Sequence, residues 1–275
     1  MARGPYSGMT GKIPVVAFLT DFGSSDFYAA AMKGVILKTV KPVQFVDISH
    51  EVPSHNIRWG AFQLFSTFRD FPAGTLFVCV VDPGVGSDRK ILYAEAGSYK
   101  FIGPDNGILS WVFQVSKPKT VLAINPEKIQ GKISRTFQGR DIMAPVAGEV
   151  LKGKITSNLG SPLKSWVSIP FPAVQKTGSK WVGEVMGVDK FGNVITSFRS
   201  EEVAGFAKKS KVWFDFGMGR PTVRGLSPSY ASVEKGRLLA IEGSTGFIEI
   251  SAREANAAQK LGLTPGDKIN LMFRL

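Results

Sequence analysis

The chain has 275 residues, 44% of them hydrophobic, which is enough for one large domain or two ordinary ones with proper cores. Its longest apolar runs, such as Leu76–Val81, fall far short of the roughly 20 residues a membrane span needs, and no signal-like segment opens the chain, so a soluble, cytoplasmic protein without a membrane partner is expected. A net charge of +12 raises nucleic acid as a partner, but the basic residues are scattered, and the densest stretch, Lys208–Lys211, reads as a solvated turn.

Residues 1–9, MARGPYSGM, show no periodicity and read as a loose lead-in. From Ile13 to about Asn158, β-rich runs alternate with helix-like stretches: a strand at Val15–Leu19, a helix at Phe27–Val40, a strand at Val43–Asp47, a helix at Asn56–Phe68 and a strand at Thr75–Val81. That alternation predicts an α/β region, a mostly parallel sheet with flanking helices over residues 10–165. The only cysteine, Cys79, sits inside the run LFVCVV, where a buried thiol is expected and no disulfide can form. Prolines at 162, 170 and 172 mark a change of texture, so residues 166–174 are read as a linker. Beyond it, Trp181–Val188, Asn193–Phe198, Lys211–Phe216, Arg237–Ile241, Phe247–Ser251 and Lys268–Phe273 are short alternating runs separated by turn residues. They predict a C-terminal antiparallel, barrel-like β domain over 175–275, with one helical piece near Asn256–Leu261.

Several familiar chemistries are missing. There is no G-x-x-x-x-G-K-[ST] loop and no G-x-G-x-x-G after a strand. A G-x-S-x-G elbow around Ser244 fails because Glu242 stands where the first Gly belongs. The two histidines, His50 and His55, are five apart with Pro53 between them, the wrong spacing for two zinc ligands on one helix face, so no metal is expected. What remains is a set of acidic residues in turns that follow strands: Thr20-Asp21-Phe22-Gly23, Asp47-Ile48-Ser49-His50 and Asp82-Pro83-Gly84-Val85-Gly86. Ligands of parallel sheets sit beyond the carboxyl ends of the strands, where these three clusters could meet. Asp82 could instead cap a backbone group in a plain structural turn, and Asp21 could cap the helix that follows it. Arg89 lies seven residues beyond Asp82, and Phe137-Gln138-Gly139-Arg140-Asp141 adds a Gly beside a charged pair.

These clusters and their order resemble the S-adenosylmethionine (SAM) hydroxide adenosyltransferases, the SAM hydrolases, relatives of the fluorinase and chlorinase enzymes. The matching segments are FLTDFGSSDFYAAAMKG, VDISHEVPSHNIRWGA, VVDPGVGSDRK, FIGPDNGILS, TFQGRDIMAP, VDKFGNVITS and EGSTGFIEIS, and they run over nearly the whole chain. The resemblance implies hydrolysis of SAM to adenosine and L-methionine by in-line attack of water or hydroxide at ribose C5′, with SAM as substrate and no cofactor. It further implies a homotrimer whose ligand lies between one subunit's N-terminal domain and a neighbour's C-terminal domain. The family's hydroxide-activating Asp and Arg fall on Asp82 and Arg89, and its His falls on position 138, where this chain has Gln138. By the same resemblance Asp21 holds the ribose hydroxyls, Phe137 lines the substrate, Asp189 and Ser244 hold the methionine amino-acid group, and Phe191 and Asn193 hold the adenine region. Some members carry an Arg after the equivalent of Ser244; here it is Thr245. Alternative readings are a SAM- or adenosine-binding protein with weak or lost turnover, a halide-using adenosyltransferase, and a basic nucleic-acid-binding protein.

Overall fold

Uninterrupted apolar runs become strands covered on both faces. The computed structural model describes residues 12–154, 159–208 and 210–274, and it divides into two units that meet between Ile169 and Pro170. The lead-in at 1–9, the end of the alternating region near Asn158 and the middle of the basic stretch at Lys209 lie outside the described residues.

The first unit runs β1 (Val15–Thr20), α1 (Tyr28–Thr39), β2 (Gln44–Ser49), α2 (Ile57–Thr67), β3 (Leu76–Val80), β4 (Ile91–Ala96), β5 (Tyr99–Pro104), α3 (Ser110–Val115), β6 (Pro118–Ile124), α4 (Ala144–Leu151) and β7 (Gly160–Pro162). The strand order is β2-β1-β3-β5-β4-β6-β7. The pairings of β1 with β2, β1 with β3 and β3 with β5 are parallel, while those of β5 with β4, β4 with β6 and β6 with β7 are antiparallel. The sheet is therefore mixed, with the sequence-predicted parallel strands forming one half. The other half begins as a hairpin, because Gly97 takes a φ of 58° between β4 and β5.

Alternate residues of the parallel strands feed opposite faces. Val16, Phe18, Val78 and Val80 pack with Met32 and Ile36 of α1 and Val146, Ala147 and Val150 of α4. On α2, Trp59 stacks on Phe62, which meets Trp111 of α3 edge-on. Burial of a side chain such as Phe18 contributes about 1.5–3 kcal/mol, and coverage of both faces is why the sequence of β3 shows no polar alternation. Cys79 is one of those β3 residues, fully buried, and burial pushes its thiol pKa well up, so it is an unreactive core residue. Helix α2 starts where Asn56 accepts a hydrogen bond from the Trp59 N–H at 3.0 Å.

The second unit contains β8 (Gln175–Thr177), β9 (Lys180–Val188), β10 (Val194–Arg199), α5 (Ser200–Ala207), β11 (Lys211–Asp215), β12 (Val223–Arg224), β13 (Leu238–Glu242), β14 (Phe247–Ala252), α6 (Ala257–Leu261) and β15 (Lys268–Arg274). All pairings are antiparallel, in the order β12-β11-β15-β9-β10-β14-β13, with β8 on β9. The Ser227 N–H donates to the Ala240 carbonyl at 2.7 Å, which ties the chain after β12 to β13 and nearly closes the barrel. The predicted helical piece is α6, capped by Asn256 onto the Gln259 N–H at 2.7 Å. Among the described residues, no helix is long and apolar enough to cross a membrane.

Candidate active site

The turn after β3 is built from its own hydrogen bonds. The Val85 N–H donates to the Asp82 carbonyl at 3.3 Å, and the Ser87 N–H and hydroxyl both reach the Gly84 carbonyl, at 3.1 and 2.7 Å. The turn brings Arg89 back onto Asp82: Arg89 Nε donates to both carboxylate oxygens, at 2.6 and 2.8 Å, and Arg89 Nη2 also meets Asp82 Oδ2. Arg89 Nη2 further donates to Gln138 Oε1 at 2.6 Å, so Asp82, Arg89 and Gln138 form one connected group. The Asp82 and Arg89 side chains are 5% and 9% exposed. A charge pair this dry is strong electrostatically and costly to break.

A glycine brings the two segments together. Gly86 has a φ of 82°, and a Cβ there would lie 2.6 Å from the Arg135 carbonyl oxygen, so the turn rests directly on the backbone that leads into Gln138. Gly86→Ala is expected to cost about 2–5 kcal/mol, from the positive φ and from overpacking against rigid backbone, and to separate Asp82–Arg89 from position 138. Urea denaturation measures the first effect and turnover the second; a variant of unchanged stability contradicts this account of the turn.

Asp141 holds the other segment. It pairs with Arg140 Nε at 2.7 Å and accepts the Ser134 N–H at 2.8 Å, and the Arg140 hydrogen bond is the main cause that lowers the Asp141 pKa. A lowered folded-state pKa means stability present above the ordinary carboxylate range and lost as pH falls through the folded value. The melting-temperature gap between the parent and Asp141→Asn is expected to be constant near neutral pH and to close below about pH 4. It stays small because Arg140 is 39% exposed, and a gap that widens on acidification contradicts it.

The parallel strands deliver the three clusters to one edge, as their positions in sequence suggest. The Asp21 N–H reaches the Val80 carbonyl at 3.4 Å, the Gly23 N–H donates to the His50 carbonyl at 2.7 Å, and Thr20 Oγ1 lies 2.8 Å from His50 Nδ1. Asp21 Oδ2 accepts the His55 N–H at 2.9 Å, which holds the carboxylate at this edge. Phe137 is buried, edge-on to Phe22 and Tyr28 with the Arg140 guanidinium over its ring, so the structure gives it a packing position beside the site. Sequence reasoning gave no role to Asn106, whose amide donates to the Val81 carbonyl at 2.8 Å and so fixes the chain next to Asp82. The Gly-Pro-Asp-Asn-Gly run at 103–107 was the available signal.

In the second unit, the Asp189 carboxylate organises its own loop. Oδ1 accepts the Phe191 and Asn193 N–H groups, both at 2.9 Å, and Oδ2 accepts Asn193 Nδ2 at 2.9 Å. Three acceptor positions are filled, and one of about four remains for a ligand. Phe191 is 66% exposed, Ser244 is exposed, and Thr245 Oγ1 is buried without a hydrogen-bond partner. Another pair missed from sequence is Tyr230 with Glu249: the phenol donates to Glu249 Oε2 at 2.9 Å. Burial raises both pKa values, that of Tyr230 to about 12. Among the described residues, no group of three His, Cys, Asp or Glu converges as a metal site.

Comparison with known proteins places this geometry. The family model for the SAM hydroxide adenosyltransferase N-terminal domain matches residues 16–160, and that for the C-terminal domain matches residues 183–270. The chain belongs to the SAM hydroxide adenosyltransferase family. A similar member is the (R)-S-adenosyl-L-methionine hydrolase of Thermus thermophilus, 31% identical over 94% of this chain and 99% of that protein. A fluorinase of Nocardia brasiliensis is more distant, 25% identical over 95% of this chain and 97% of its own length. The crystal structure of an uncharacterized conserved protein from Thermotoga maritima superposes with a TM-score of 0.85 at 32% identity, covering 94% of this chain and 99% of that one. Within this SAM hydroxide adenosyltransferase, the Asp82–Arg89–Gln138 group and the Asp21 edge lie in the first unit, and the Asp189, Ser244 and Tyr230 loops lie in the second.

Proposed function

We propose that the protein hydrolyses SAM to adenosine and L-methionine. The observation that carries this reading is the dry Asp82–Arg89–Gln138 group at the carboxyl end of β3, in a chain that matches a SAM hydrolase over 94% of its length. Methionine departs from a sulfonium as a neutral thioether, so the leaving group needs no acid. The task is to place an oxygen nucleophile in line with the carbon–sulfur bond. Asp82 accepts a proton from the attacking water, and Arg89 orients the carboxylate and stabilises hydroxide character on the oxygen. Asp21 Oδ1 takes a ribose hydroxyl, Asp189 and Ser244 the methionine ammonium and carboxylate, and Phe191 and Asn193 the adenine. Thr245, where some relatives have Arg, supplies a hydroxyl in place of a charge.

Gln138 has a defined part. Arg has no acceptor, so the amide oxygen must face Arg89, and the N–H groups are the free end. Position 138 can therefore donate to the nucleophile but cannot take its proton. This observation favours a second reading, a SAM- or adenosine-binding protein with weak turnover. Halide chemistry fits less well, because a halide needs no base and would meet the Asp82 carboxylate.

The ribose-binding and methionine-binding candidates lie in separate units, which supports a homotrimer whose sites are completed by neighbouring subunits. Incubation with SAM, followed by chromatography for adenosine and methionine, tests the reaction. Unconsumed SAM that stays bound selects the weak-turnover reading. Sedimentation tests the assembly: a monomer that still binds SAM tightly removes the shared site.

A further inference from the structure

The outer face of β12, β11 and β15 carries a concentration of positive charge that the reaction does not use. In the β11–β15 register Lys211 stands directly opposite Arg274, and in the β11–β12 register Trp213 stands opposite Arg224. Residues 211 and 213 share a face, so all four side chains project to the same side, and all four line one cavity of about 840 Å³. Strand spacing near 4.8 Å and a rise near 3.4 Å per residue put the three cationic positions within about 12 Å of one another. Like charges directly opposite in an antiparallel pair are unfavourable. Among the described residues, none of the three side chains has a hydrogen-bond or ion-pair partner that relieves them. The carboxylate that shares their face on β11, Asp215, is engaged with the Gly217 N–H at 3.0 Å and with Asn270. It does not line the cavity.

We propose that this cavity binds a nucleoside triphosphate, with the phosphates on Lys211, Arg224 and Arg274 and the base against the Trp213 indole. Three clustered cations match a polyphosphate, and Arg in particular takes phosphate oxygens in pairs. A half-buried indole beside them offers a planar ring a face to stack on. The volume lies within the range of small-ligand sites, roughly 300–1,000 Å³. The cations gather in one hollow and do not form a track, which favours a single nucleotide over a strand of nucleic acid. The site shares no residue with those assigned to SAM.

GTP is the suitable probe, because ATP could enter the adenosine pocket. The full-length protein, saturated with adenosine, is titrated with GTP by calorimetry and by indole fluorescence. Expected are one site per chain, quenching that disappears in Trp213→Leu, and binding weakened at least about tenfold in Arg224→Ala/Arg274→Ala. Affinity should also fall as salt rises. SAM hydrolysis and melting temperature in the variants report that the fold is intact. Absence of binding at millimolar GTP overturns the proposal, as does binding that ignores the double substitution. Inorganic tripolyphosphate that binds as tightly as GTP reduces the cavity to a plain anion site. An oligonucleotide of about ten residues that binds more than about tenfold tighter than GTP replaces the nucleotide by single-stranded nucleic acid.

Discussion

Asp82→Asn lowers the turnover of SAM by about two orders of magnitude or more, the range for a lost general base, while leaving most of the affinity for SAM. Asp82 meets Arg89 through both carboxylate oxygens, and the pair is almost fully dry. An amide in its place keeps one acceptor but turns N–H groups toward a guanidinium that cannot accept them. The variant therefore loses a base and also part of the hold on Arg89. A stability loss of about 1–3 kcal/mol accompanies it, so turnover is compared well below the melting temperature of the variant. Adenosine release at saturating SAM is the measurement. Unchanged turnover moves the base to another residue.

Gln138→His raises turnover about 10- to 100-fold without tightening SAM binding. The amide oxygen of Gln138 is committed to Arg89 at 2.6 Å, so position 138 offers the nucleophile a donor but cannot share the proton that Asp82 takes up. Imidazole does both, and sharing the proton matters most as the oxygen–carbon bond forms, so the gain belongs to kcat rather than KM. The pH profile of kcat should acquire a limb in the histidine range that the parent lacks. A histidine variant that is equal or slower shows that the Gln138 hydrogen bond to Arg89 is itself the working arrangement.

Much of this site was legible in the sequence because its first half lies at the ends of parallel strands. The order of β1, β2 and β3 follows from strand–helix alternation, and parallel strands carry their carboxyl ends to one edge, so Asp21, His50 and Asp82 meet without any knowledge of side-chain contacts. The antiparallel half of the first sheet was not legible, since β4 and β5 are largely buried runs and β6 a partly buried one, and such runs look alike whether they pair parallel or antiparallel. Nor was the contact between Gly86 and the Arg135 carbonyl, which joins segments 49 residues apart and depends on the absence of one methyl group. Asn106 and the Tyr230–Glu249 pair escaped for the same reason: their partners are distant in sequence, and no spacing rule points to them. The like-charged pair Lys211–Arg274 was hidden by register, because Lys211, the end of a basic run that reads as a solvated turn, meets Arg274 only when β15 is set beside β11.

The most direct test of the central claim is to let the protein consume SAM in water enriched in oxygen-18 and to weigh the product. Attack by water at C5′ predicts adenosine heavier by one oxygen-18 at the 5′ position, released in equal amount with methionine. Adenosine without the label, a halogenated nucleoside when chloride is present, or SAM recovered intact would contradict it.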